Sequence, residues 1–278
     1  MRTFMRAVMP LAFAFAVVAT FSNSACASEE QPCGEDVVAS VAKWAGVKGE
    51  LKPWGNGDGL IAAASCKAMP DAPDTTIAAV AFDTNHVGPN SGGGDIRQIV
   101  ALVKGGEVVA ATRSTIEQDV LTEVGSFHID TAPYWLSPDV RAFGVVFDSS
   151  ARGPSCADAA ADQELTLYVR EDRTLRPVFG TNLYGWVNTD PNSCGAGLEG
   201  EHDADAYMTI AVGKTISHGF ADLALSARVT RNDQKSQQRI ETAKYTKRIV
   251  LHYDGKTYGV NMYRDFWYPS DSVMKRSK

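Results

Sequence analysis

Alternation with a period of two dominates this sequence and limits what it can fold into. In Glu164–Glu171 (ELTLYVRE), Leu165, Leu167 and Val169 face one way, and Thr166, Tyr168 and Arg170 the other. Phe220–Thr230 sets Leu223, Leu225, Ala227 and Val229 against Ala224, Ser226, Arg228 and Thr230. Arg248–Gly255 repeats the pattern, with Ile249, Leu251 and Tyr253 opposite Val250 and His252. Side chains alternate between the faces of a strand, so these segments read as half-buried antiparallel strands. The 24 glycines and 12 prolines supply frequent turns between them. The expected fold is all-β: antiparallel sheets of ten or more strands, propeller-like or sandwich, with one or two short helices.

The strands recur in irregular units. Ile77–Asn85 precedes a hairpin over Gln98–Arg113; Val140–Ser150 precedes one over Glu164–Gly180; Phe220–Thr230 precedes one over Arg248–Arg264. The units therefore occupy 77–113, 140–180 and 220–264. Their hairpins turn at Gly105-Gly106, Asp172-Arg173 and Asp254-Gly255, residue types that tolerate tight turns. An ordinary antiparallel meander and a stack of propeller blades both fit this recurrence.

The third unit, Gly219–Ala227 (GFADLALSA) followed by Arg248–Val260 (RIVLHYDGKTYGV), resembles an FG-GAP-type β-propeller repeat over residues 219–262. That resemblance implies a propeller blade. It does not extend to the family's calcium loop, because Ile216-Ser217-His218-Gly219 occupies the place of the spaced Asp and Asn residues. Asn56-Gly57-Asp58-Gly59 has the composition of such a loop but precedes no comparable strand. In its general make-up the chain is similar to exported bacterial proteins.

Two helices are expected. Glu35–Ala45 places Val37, Val41 and Trp44 at helical spacing, with acids in the first turn and Gly46 as a stop. Ser114–Glu117 resembles a capping box, followed by Ile116, Val120 and Val124 up to Gly125.

Residues 1–27 read as a signal peptide. Arg2 and Arg6 precede an apolar run, and Ala25-Cys26-Ala27 predicts cleavage before Ser28. A lipidated Cys26 is the competing reading, but Asn23 stands where lipoprotein signals carry an apolar residue. The expectation is a mature domain over 28–278, periplasmic or secreted, with no transmembrane segment. Removing residues 1–27 takes Lys+Arg from 27 to 25 against 33 acids, so the net charge moves from −6 to −8. Such acidity argues against nucleic acid, whose affinity rests on Lys and Arg neutralising phosphates.

Cys33, Cys66, Cys156 and Cys194 then remain, an even number that in an exported chain suggests two disulfides. Proximity favours 33–66 and 156–194. No Cys-x-x-Cys pair or zinc-finger spacing points to metal instead.

The candidates for chemistry are scattered. His128 and Asp130 share a strand face near Tyr134, Trp135 and Arg141, as a carboxylate-oriented general base would, or as two solvent-facing polar residues would. Asp83 with His86 poses the same choice. Glu199, Glu201, His202, Asp203 and Asp205 form the densest acidic stretch, a divalent-cation candidate or a solvated loop. Tyr263–Pro269, with Phe266 and Trp267, is suited to stacking a sugar or to burying the chain end against the sheet. Gly88–Asp95 is glycine-rich but lacks the helix and basic residue of a phosphate loop, and no P-loop, Rossmann, nucleophile-elbow or zinc-protease motif occurs, so no cofactor is implied.

The expectation from sequence is therefore a non-enzymatic binding protein of the cell envelope. It would recognise an envelope protein or glycan through loops on a rigid scaffold, an inhibitor or immunity protein being one form. The alternative is an envelope hydrolase using His128 and Asp130, or a metal at Glu201–Asp205.

Overall fold

Tight turns with left-handed residues shape the hairpins. In the computed structural model, which describes residues 31–54, 59–84, 96–189, 203–233, 240–259 and 265–276, Gly105 and Gly106 have φ of 57° and 79°. They join β3 (Ile96–Lys104) to β4 (Glu107–Ile116). Asp172, at φ 53°, turns β7 (Ala159–Glu171) into β8 (Thr174–Val187). The Asp254 carboxylate accepts the N–H groups of Lys256 and Thr257, each at 2.7 Å, and so holds the third expected turn.

The first two units have a strand more than their sequence advertises. The third gains one before Phe220 but, among the described residues, has no strand after the Asp254 turn. The hairpin expected over 248–264 is replaced by Tyr258 and Gly259 bonding to β8. β1 (Ile61–Met69) pairs with β2 (Ala72–Phe82), β5 (Val124–Ser137) with β6 (Val140–Ser149), and β9 (Ala204–Ser217) with β10 (Phe220–Asp233). β10 also pairs with β11 (Ile240–Leu251). Three antiparallel meanders result, β1–β4, β5–β8 and β9–β11. They join in one open, eleven-stranded sheet among the described residues rather than standing as separate sheets.

β8 is the junction. It lies fully along β7, touches β4 in parallel at Ala111 and Thr174, meets Gly259 at Phe179, and pairs with β9 through residues 184–187.

Three apolar clusters explain the layering. One face of β5–β8, with Ile129, Phe143, Val145 and Tyr168, packs on Ile77, Val100 and Leu102 of the first meander. The opposite face, with Ala142, Val146, Leu165 and Leu167, packs on Leu223, Leu225 and Val229 of the third. The middle meander is therefore buried on both sides. Tyr168, expected on a polar face, sits in the core for that reason. The third cluster lies under α1 (Glu35–Ala45), which covers the outer side of β2–β4 with Val38, Val41, Ala42 and Ala45. Only Val41 of the expected helix face is fully buried. Trp44 turns outward, 40% exposed, with the Arg113 guanidinium 5.7 Å from its ring.

The second expected helix does not form. β4 continues to Ile116, and the Asp119 carboxylate accepts the N–H groups of Leu121 and Thr122, each at 2.8 Å, before β5 begins at Val124. A side chain that satisfies backbone donors locally competes with a helix, and here it prevails. A short α2 (Val273–Arg276) follows the aromatic end instead.

The Cys33–Cys66 disulfide is formed and ties the approach to α1 onto β1. Cys194, half of the second expected pair, lies outside the described residues, as do the signal segment, His86, Glu199, Glu201, His202, residues 56–58 and Gly88–Asp95. No helix of the described residues is long and apolar enough to cross a membrane.

Candidate functional site

The outer side of the third meander is partly exposed, with Tyr207, Thr209, Arg228, Thr246 and Arg248 open to solvent. Odd-numbered Leu223, Leu225, Ala227 and Val229 go into the core, so the even positions of β10 lie on the other face. There Arg228 is exposed and Ser226 half-buried, while Ala224 and Asp222 are covered. Register then assembles a row across four strands: Tyr184 opposite Tyr207, Tyr207 opposite Arg228, Arg228 opposite Thr246. The two tyrosine rings lie 4.9 Å apart at 41°, and Tyr207 is 56% exposed. Beside the row is a groove of about 420 Å³ lined in part by Asp162, Glu164, Asn182 and Trp186. Asn182, Tyr184 and Trp186 alternate on one side of β8, so groove and row share a strand.

The groove is acidic, and its electrostatics are perturbed. Burial pushes the Asp148 carboxyl above its ordinary range, against the opposing pull of His128 and Ser126. Burial pushes Asp162 up as well, and the neighbouring Asp148 charge adds to it. Aromatic faces and an arginine in the row, with hydrogen-bonding acceptors lining the groove next to it, are components that bind a polyol ring or a partner side chain.

The sequence candidates fall in different places. Asp130 is engaged locally: its carboxylate accepts the Tyr134 hydroxyl at 2.6 Å and the Ala132 N–H at 2.8 Å. His128 acts electrostatically on Asp148, one strand away. Arg141 donates to Asp71 at 3.0 Å and to the Thr131 carbonyl at 2.7 Å, and its guanidinium lies 5.6 Å from the centre of the exposed Trp135 ring. Trp135 borders a second, shallow groove with Lys214 and Ile216 of β9, away from the aromatic row.

Phe266 is half-buried, and Trp267, 1% exposed, packs in the core edge-on to Tyr268. Trp267 thus packs the chain end onto the sheet, the second of the two roles expected for this segment. In the acidic stretch, Asp203 accepts the Thr189 N–H and hydroxyl at 2.6 and 2.8 Å, while the buried Asp205 accepts the Asn232 amide at 3.3 Å. Among the described residues no cluster of three or more potential ligands could hold a metal.

A carboxylate-oriented histidine does exist, at a pair that sequence reasoning did not join. Asp222, 2% exposed, accepts the Thr215 hydroxyl at 2.6 Å and lies 2.9 Å from Nδ1 of His252. Thr215 first, then Ser217 and His252, hold the Asp222 carboxyl below its ordinary range. The Ser217 hydroxyl is 3.5 Å from the same Nδ1. A triad needs the carboxylate and the nucleophile on different ring nitrogens, so these three residues do not form one. Their proximity follows from β10–β11 register, where Asp222 and His252 continue the pairing of Leu223 with Leu251.

Comparison with known proteins found no family model, curated protein or solved structure that matches the chain.

Proposed function

We propose that this chain is an exported, non-enzymatic binding protein of the cell envelope that recognises a glycan through the Tyr184–Tyr207–Arg228 row and its adjoining groove. The observation that carries the reading is the exposed Tyr207 ring paired with the half-buried Tyr184 ring on the outer sheet face, continuous along β8 with a polar groove. Sugars present apolar C–H faces and hydroxyl edges, which aromatic rings and carboxylate or amide groups match. The engagement of Asp130 by Tyr134 and Ala132 weighs against the hydrolase alternative, since that carboxylate is not free to orient His128.

The test is calorimetric titration of the mature protein with soluble envelope glycans, beside Tyr207→Ala. Truncating a central aromatic contact costs about 2 kcal/mol, so the variant should bind roughly 30-fold more weakly. Equal affinity of variant and wild type, or no binding to any glycan, would overturn the assignment. Export is tested separately: the N-terminus of the protein recovered from the cell envelope should be Ser28.

A further inference from the structure

We propose that the glycan is an acidic one, its carboxylates held by Arg228 and Arg248 on the outer face of β9–β11. The inference rests on the glycan reading above and adds the charge class of the ligand. Arg228 lies between Tyr207 and Thr246, while Arg248 stands opposite Ser226 on the neighbouring strand. Both side chains are exposed, and among the described residues neither has an ion pair, hydrogen bond or ring contact. The next cation on this face, Lys244, is by contrast already paired with Glu241 at 2.6 Å.

One strand spacing and two residues along the strand separate the two arginine Cα atoms by roughly 8 Å. Two cationic side chains rooted that close carry like charge on one patch, and among the described residues no carboxylate pairs with either. Between and beyond them the floor is small or short: Ser226, Thr209, Ala224 and Ala211 occupy the neighbouring register positions. An extended polymer can therefore lie flat across the strands, with Tyr207 alongside one arginine. A guanidinium fork binds a carboxylate through two parallel hydrogen bonds. Two single arginines, one per row, suit an anion carrying one charge per sugar better than a clustered phosphate. The acidic groove beside Tyr184 repels the charged groups, so the carboxylates lie on the arginine side of the row and only uncharged hydroxyl edges reach the groove.

The experiment compares oligogalacturonate with its methyl ester, the same sugar chain without charge, by calorimetry at low salt. The acid form should bind at least ten-fold more tightly than the ester, and the advantage should shrink as salt is raised. Arg248→Gln, outside the aromatic row, should remove most of that advantage and leave ester binding unchanged. Arg228→Gln should remove it and weaken ester binding as well, with Arg228→Lys retaining part of the advantage. Equal binding of acid and ester would overturn the charge assignment while the glycan reading stands. Binding of neutral envelope glycans with no affinity for either galacturonate form would do the same, and failure of every glycan would overturn both. Tighter binding of polyphosphate at matched charge would overturn the choice of carboxylate.

Discussion

The side-chain amide of Gln31 pairs with the backbone of Ile129 as a neighbouring strand would. Its Oε1 accepts the Ile129 N–H at 2.7 Å, and its Nε2 donates to the Ile129 carbonyl at 3.0 Å. The Gln31 carbonyl meanwhile accepts the Cys66 N–H at 2.9 Å, and Ser65 donates to Oε1 at 2.9 Å. One residue thus bridges β1 and β5, the two ends of an eight-strand path. Gln31→Ala leaves both backbone groups of Ile129 without these partners, a loss of about 1–3 kcal/mol. Gln31→Glu keeps the acceptor, loses the donor and should also destabilise. The denaturant midpoint measures both, and an unchanged midpoint in the alanine variant would contradict the bridging role.

The Cys33–Cys66 disulfide closes a loop of 33 residues. In the chain-entropy model such a closure contributes about 3–4 kcal/mol. The double variant Cys33→Ala, Cys66→Ala should therefore melt well below the wild type, with hydrogen exchange accelerated first in α1. A melting temperature equal to that of the wild type would refute this contribution.

Buried tyrosines make the fold sensitive to alkali. Burial pushes the Tyr168 phenol up to about 12, with the Glu164 charge adding to the shift and a hydrogen bond with Thr166 opposing it. Burial also raises Tyr134, reinforced by the Asp130 carboxylate that accepts its hydroxyl, and Tyr258. In the unfolded chain these groups ionise near 10. Their stabilising contribution is complete below that pH and is lost as pH rises through the folded-state values. Tyrosinate absorbance followed with unfolding should show a cooperative alkaline transition, displaced to higher pH in Tyr168→Phe. An identical transition in that variant would count against Tyr168 as a contributor.

Asp148 and Asp162 invert the usual behaviour of carboxylates. Both are raised, first by burial, so the folded protein holds their protons more tightly than the unfolded chain, where they ionise near 3.8. The contribution to stability is fully present below 3.8 and declines as pH climbs through the folded-state values. Asp162→Asn should therefore raise the melting temperature at neutral pH and flatten its dependence on pH in the acid range. A lower neutral melting temperature with an unchanged pH profile would show that the carboxylate is not under this penalty.

Strand alternation was legible wherever a strand has one wet face. β10 and β11 match it, with Leu223, Leu225 and Leu251 buried and Val250 and His252 exposed. β1 (IAAASCKAM) escaped because Ala and Ser fit either face and leave no clean period. β7 was recognised, yet the burial of Tyr168 was not, since covering its second face takes residues of the first meander that are distant in sequence. The candidate site shows the same division. Its residues come from four strands, and no motif spacing links Tyr184, Tyr207, Arg228 and Arg248.

By itself, the sequence determined the β character, the tight turns at Gly105-Gly106 and Asp172 and the acidic balance, and it favoured the 33–66 pairing, because each depends on neighbouring residues, composition or a short loop. Tertiary structure alone decided which strands lie side by side, that β5–β8 is covered on both faces, and which face is left open to carry two tyrosines and two arginines. The physical reason is that alternation is encoded within one strand. The identity of what covers each face comes from register and packing between residues far apart in the chain, and no local pattern records it.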